Sequence, residues 1–199
     1  FLSHADQRIR MRAQFELVAR GSDGAAALLQ AAQQNESQMA RVHAIWGLGQ
    51  LVRKAMSTDR GTDPAPMISM LTTLLKDNDP EIRAQAAKVL GDAPVGPAAD
   101  AIAGLLVDPQ PRVRLFAGIA LSKMGRPSDL QRAVAMLAGN KTRDAFIRHA
   151  GVVVMAAAAA KDATPLAELA SHPDLQVRLA AIVALRRLHS PLVDKFIDD

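Results

Sequence analysis

The residues best suited to acid–base or metal chemistry in this sequence are five histidines, His4, His43, His149, His172 and His189, with no cysteine to join them. None stands at the i, i+4 or cysteine-partnered spacing of a zinc site, so no metal ligand set is expected. The missing cysteine also removes disulfides, thiolate sites and a covalent haem attachment within these residues. No Ser, Asp or His lies in a nucleophile elbow. Gly47-Leu48-Gly49 starts as a phosphate-binding GxGxxG run would, but Val52 stands at the third glycine position and the run lies inside a helical pattern, so it reads as packing. No catalytic residue and no cofactor is assigned.

Binding chemistry is better represented. Arg12, His43, Trp46, Lys88, Arg148 and His149 form the candidate partner-binding set, because Trp and Arg dominate binding hot spots. Arg12, His43 and His149 stand two residues beyond a recurring position, and Trp46 and Lys88 stand five beyond it. Positions two and five are three apart and share a helix face. Down the copies this stripe is polar and aromatic in its first half and mostly apolar in its second. Exposed, it would carry an anchor of Arg12, His43 and Trp46. The alternative places Trp46 and Phe15 as wedges between two helix layers, with His43 satisfied by a neighbouring carbonyl.

The elements that position these residues repeat. Asp79-Pro80-Glu81-Ile82-Arg83, followed by Ala86 and Leu90, recurs as Ile9-Arg10-Ala13-Leu17, Val113-Arg114-Ala117-Leu121 and Val177-Arg178-Ala181-Leu185. Degenerate copies run through Ala40-Arg41-Ala44-Leu48 and Ile147-Ala150-Val154, the latter without the arginine. Placed by their alanines, the copies are 31, 42, 31, 33 and 31 residues apart. Aliphatic, Ala and Leu four residues apart make one helix stripe, and the small Ala lets another helix approach closely. Asp79, Asp108 and Asp174 beside prolines suit N-caps and first turns. Shorter apolar helices are expected at 25–32, 66–75, 97–107, 129–137 and 165–170, with breaks at 21–24, 91–94 and 125–128.

Two helices per period define an all-α, α-solenoid fold of about six repeats. The chain reads as a single domain, 1–199, with an inserted polar, mobile loop at 53–66 accounting for the long step. Phe1-Leu2 reads as the tail of a preceding helix. Neither end carries a convincing polar cap, so flanking repeats are expected, and the oligomeric state stays open. The recurring Arg10, Arg41, Arg83, Arg114 and Arg178 read as a structural ladder, a repeat-to-repeat ion-pair and capping network with the preceding acids.

Composition supports helices: 49% hydrophobic residues with only 3% aromatic and no Tyr leave Ala, Leu, Val, Ile and Met to fill the core. The net charge of +4 is local, since residues 1–60 hold 8 Lys/Arg against 5 Asp/Glu and the remainder 16 against 15. That balance, with few interleaved aromatics, argues against a nucleic-acid groove. The uncharged run Ala150 to Ala160 is 11 residues, too short to span a bilayer, and reads as a buried helix.

The Asp-Pro, Val/Ile-Arg, Ala, Leu signature resembles HEAT repeats in the short form also found in phycobilin-lyase proteins, over nearly the whole chain. The resemblance implies a right-handed superhelical array. A narrower resemblance rests on Leu2-Ser3-His4, Arg8 through Leu17, Arg41 through Leu51, and Phe146-Ile147-Arg148-His149-Ala150. It is to the HEAT segment of large exported bacterial proteins in which a sugar-dehydrogenase-like β-propeller precedes the repeats and a c-type cytochrome domain follows. It implies a non-catalytic scaffold, periplasmic or extracellular, that docks neighbouring domains or another protein. Two rivals come from other classes. One is a nucleic-acid module of the HEAT-like DNA-glycosylase type using Arg8, Arg10, Arg12, Arg41 and Arg53 on phosphates. The other is a lyase-like enzyme acting on a tetrapyrrole.

Overall fold

The computed structural model describes residues 1–34, 36–57, 63–93 and 95–197, and among these every regular element is helical. Contacts within the chain cluster into two compact units, Phe1–Ala98 and Ala99–Asp199, where the sequence reads as a single domain.

In the first unit, α1 (Gln7–Ala19), α3 (Gln38–Ser57) and α5 (Pro80–Asp92) carry the repeated signature and pack side by side. Helices α2 (Ser22–Gln34) and α4 (Ala65–Leu74) back them and touch each other, which makes two layers. In the second unit α7 (Pro111–Met124), α9 (Ala145–Ala158) and α11 (Leu175–Arg187) form the signature layer. Behind them lie α6 (Ala99–Gly104), α8 (Leu130–Ala138) and α10 (Thr164–Ala167), extended by 3-10 turns at Leu105–Val107, Pro127–Asp129 and Glu168–Ser171. Each unit is a segment of α-solenoid, as the repeat spacing requires.

The expected stripe forms the core. Ala44, Ala86, Ala117, Ala150 and Ala181 are fully buried, as are Ile82, Leu90, Val113, Val177 and Leu185. Copy one departs from this: Ile9 is 37% exposed, because α1 has no signature helix on its outer side within the unit. Close approach is enforced by small residues. A Cβ on Gly49 would lie 2.8 Å from the Val89 Cβ, and one on Gly118 would lie 2.8 Å from the Ala150 Cβ.

Boundaries among the described residues differ from the sequence reading in several places. Residues 1–6 form a turn rather than a helix tail, closed by His4 N–H donating to the Phe1 carbonyl at 3.0 Å. The break at 21–24 shrinks to Gly21, whose φ of 61° turns the chain so sharply that α2 starts at the next residue. Of the loop expected at 53–66, residues 53–57 continue α3 and 65–66 open α4, while 58–62 lie outside the described residues. Finally, α7 is capped by Gln110 rather than by Asp108.

Replacing Gly118 by Val should destabilise the second unit by about 1–3 kcal/mol, since the branched side chain must displace Ala150 and α9. Urea unfolding measures it; an unchanged midpoint would show that the helices do not meet there.

Candidate functional site

The signature helices are set in place by a local device. Arg10, Arg83, Arg114 and Arg178 each turn Nη1 back onto the carbonyls six and five residues earlier. The acceptors are His4 and Ala5 at 2.7 and 2.8 Å, and Asp77 and Asn78 at 2.8 and 3.1 Å. For the other two they are Asp108 and Pro109 at 2.6 and 3.2 Å, and His172 and Pro173 at 2.9 and 3.4 Å. The residue six positions back also accepts, through its side chain, the backbone N–H two residues on. Thus His4 Nδ1 takes Asp6 N–H, Asp77 takes Asp79, Asp108 takes Gln110 and His172 Nδ1 takes Asp174. Asp6, Asp79 and Asp174 then cap the first helical turn.

Where the sequence led to a repeat-to-repeat ion-pair and capping network, what the four arginines share is a carbonyl clasp on the approach to their own helix. Arg41 follows the ion-pair pattern, reaching the Asp77 carboxylate with both terminal nitrogens and the Ala32 carbonyl with Nε at 2.9 Å. Burial pushes the Asp77 carboxyl up, but the hydrogen bonds from Arg41 and the Asp79 N–H, with the charges of Arg41 and Arg83, outweigh it and hold the group below its ordinary value. In the copy without the arginine, buried Asn140 braces the approach to α9, donating to the Asp144 carbonyl at 2.9 Å and accepting its N–H at 3.1 Å.

Across the first unit a polar and aromatic chain links the three signature helices. His43 is 2% exposed, which corrects the reading that exposes it as a partner-binding anchor and agrees with the alternative that buries it. Its Nδ1 donates to Gln14 Oε1 at 2.8 Å, and its Nε2 accepts from Arg10 Nε at 3.3 Å. Side chains, and not the expected carbonyl, satisfy it. Only the neutral ring with its proton on Nδ1 fits both partners. The His43 ring meets Trp46 edge-on, centroids 5.1 Å apart, and Trp46 Nε1 donates to Gln85 Oε1 at 2.8 Å. Gln85 in turn donates to Glu81 at 2.7 Å. Burial, and then the adjacent Arg10 charge, lower the His43 pKa from its ordinary 6.5.

On this layer lies a depression of about 400 Å³ beside another of about 370 Å³, sharing Met11 and Phe15. Trp46, Lys88, Gln50 and Arg53 line the second and Arg12 lines the first, all contributed by α1, α3 and α5. Trp46 is partly buried with its N–H engaged, so it is both wedge and wall. Phe15 is 50% exposed and so no wedge between layers. Lys88 is held by Asp92 at 3.0 Å. Arg148 and His149 belong to α9 of the second unit, partly buried and exposed respectively, and line none of these depressions.

Sequence reading missed Met11 and Gln50, and placed Arg53 only among the cations of the nucleic-acid reading. The signal was present: Gln7, Met11, Gln14 and Trp46, Gln50, Arg53 each run in helical steps of three and four. It was hidden because these residues fall outside the two positions of the repeated stripe, whereas a depression spanning adjacent helices collects further turns from each.

A family model described as HEAT repeats matches residues 68–150. No curated protein matches the sequence. Solved structures share the fold at low identity. An engineered protein aligns at 16% identity over 94% of this chain and 93% of its own, with a TM-score of 0.58. A designed armadillo repeat protein in complex with the peptide (KR)4 aligns at 18% over 94% and 96%, TM-score 0.54. The complex of CpcE and CpcF of phycocyanin lyase from a Nostoc species aligns at 16% over 99% and 90%, TM-score 0.59.

Arg114→Met should cost about 1.5–3 kcal/mol in urea unfolding, because two carbonyls lose a charged donor. The lowered His43 pKa gives a second expectation. Above about pH 6.5 the ring is neutral folded or unfolded; below it the unfolded chain binds the proton first, so stability falls as pH falls. Urea midpoints measured from about pH 7.5 to about pH 5 should decline more steeply in the native protein than in His43→Gln; parallel slopes would remove His43 as the source.

Proposed function

We propose that this chain is a non-catalytic helical-repeat scaffold that docks protein on the face formed by α1, α3 and α5. The observation that carries it is the paired depression around Phe15 and Trp46, an apolar surface with a polar and cationic rim on adjoining helices. The solenoid fold suits this work because stacked repeats offer extended surfaces, and the similar designed armadillo protein holds a peptide. The narrower resemblance supplies the setting: an exported bacterial redox protein whose sugar-dehydrogenase-like propeller and c-type cytochrome flank the repeats, with this chain outside the cytoplasm.

The rival use of the cations on nucleic acid is weakened by how they are spent. Arg8 pairs with Asp6, Arg10 clasps carbonyls and His43, and Arg41 pairs with Asp77. Arg12 and Arg53 are left without an ion pair among the described residues, too few for a phosphate track. Among those residues, too, no helix is long and apolar enough to cross a membrane.

Calorimetric titration of the chain with the propeller and with the cytochrome domain of such a protein should show binding to at least one. Phe15→Ser should weaken that binding by about tenfold or more, because an exposed aromatic anchor is lost. No heat of binding with either domain would sink the redox setting, and binding indifferent to Phe15 would move the site elsewhere.

A further inference from the structure

The rim of the paired depression has a charge imbalance. Its acids are engaged: Glu16 pairs with Arg20 at 3.1 Å and Asp92 with Lys88 at 3.0 Å. Arg8 is tied to Asp6. Arg12 lines one depression and Arg53 the other; both are exposed, and neither has an ion pair among the described residues. Between them stand Met11 and Phe15, 38% and 50% exposed, with Trp46 forming a wall of the second depression. The Trp46 N–H is already given to Gln85, so that ring offers an incoming group an apolar surface. Its orientation is held from behind by the edge contact with His43.

We propose that these paired depressions receive a segment of a partner protein that places an aliphatic or methionine side chain against Phe15 and Trp46, with carboxylates on either side meeting Arg12 and Arg53. The assignment rests on the docking function proposed above and names the partner's chemistry. Each part follows from what the surface lacks. The apolar wall lacks a covering side chain, and the two arginines have no ion pair among the described residues. A basic segment would bring its cations against Arg12 and Arg53 with no free acid on the rim to receive them. The apolar contact supplies most of the affinity and the exposed charges supply selectivity and encounter rate.

Peptides of about ten random residues, long enough to cross three helices when extended, displayed on phage and selected on the full chain, test the sequence preference. Selected peptides should be enriched for Leu, Ile or Met flanked by Asp or Glu. A synthetic peptide of that kind should change the fluorescence of Trp46, the only tryptophan, and bind more weakly as salt rises. Arg12→Glu with Arg53→Glu should weaken it at least about tenfold and let selection drift to basic peptides. Phe15→Ser, a surface change, should weaken acidic and charge-swapped peptides alike.

Selection of basic or purely polar peptides by the native chain would overturn the assignment, as would affinity unmoved by either variant. Capture of a partner domain that survives both variants would overturn it while leaving the docking function in place at another surface. Failure of both peptide selection and domain capture would remove both.

Discussion

The fold depends on a guanidinium group bent back onto two backbone carbonyls. Where the chain leaves one helix and enters another, the carbonyls of the connection have no partner within either helix and need a donor from elsewhere. An arginine one turn into the signature helix reaches both, while the residue at the start of the bend accepts an N–H and the cap accepts another. Four adjacent polar demands are met inside a single segment of about seven residues. The angle of entry is thus fixed locally, and a repeat can be stacked without waiting for its neighbour to orient it.

The exceptions show that the demand is geometric rather than tied to arginine itself. His4 and His172 do with an imidazole nitrogen what Asp77 and Asp108 do with a carboxylate. Before α9, where Ile147 replaces the arginine, Asn140 supplies a donor and an acceptor from a buried position and the chain passes through Arg143 at a φ of 55°. At α3 the arginine is redirected to Asp77 in the next repeat and to a carbonyl of α2. Different side chains satisfy the same bend, which is why the backbone period persists through sequence degeneration.

This separation explains what was legible in the sequence. The solenoid was readable because its causes are periodic: the Asp cap, the arginine and the aliphatic, Ala, Leu stripe each mark a fixed step, and buried Ala86, Ala117 and Ala181 fall where that step places them. The arginines' partners were not readable, because an acid nearby in sequence and a carbonyl equally near are indistinguishable until the chain bends. The choice between an exposed and a buried His43 stayed open in the sequence for a related reason. Its helix face was correctly phased, but its burial depends on Gln14 of the preceding signature helix, a residue outside the repeat signature. The Phe15 and Trp46 surface was half legible: the aromatics announced themselves, while Met11 and Gln50 became relevant only once three helices were aligned.

With the bend satisfied by the clasp and the core filled by small aliphatic side chains, the positions left free to vary lie on the remaining face of the signature helices. The two units use that freedom differently. In α9 and α11 those positions include buried Val152 and Ala180, and the copies there add to the core. In α1, α3 and α5 they carry Phe15, Trp46 and Lys88; Trp46 is tied to Gln85 and backed by the Gln14-bonded His43, and Lys88 pairs with Asp92. Buried polar bonds of this kind add little net stability, since each replaces a bond to water. Their consequence is positional: an indole whose N–H is already occupied is held in one orientation and shows an incoming side chain a fixed apolar wall. A surface prepared in this way loses less freedom on binding, and the first unit is where the sequence has used side chains that a purely structural repeat would not require.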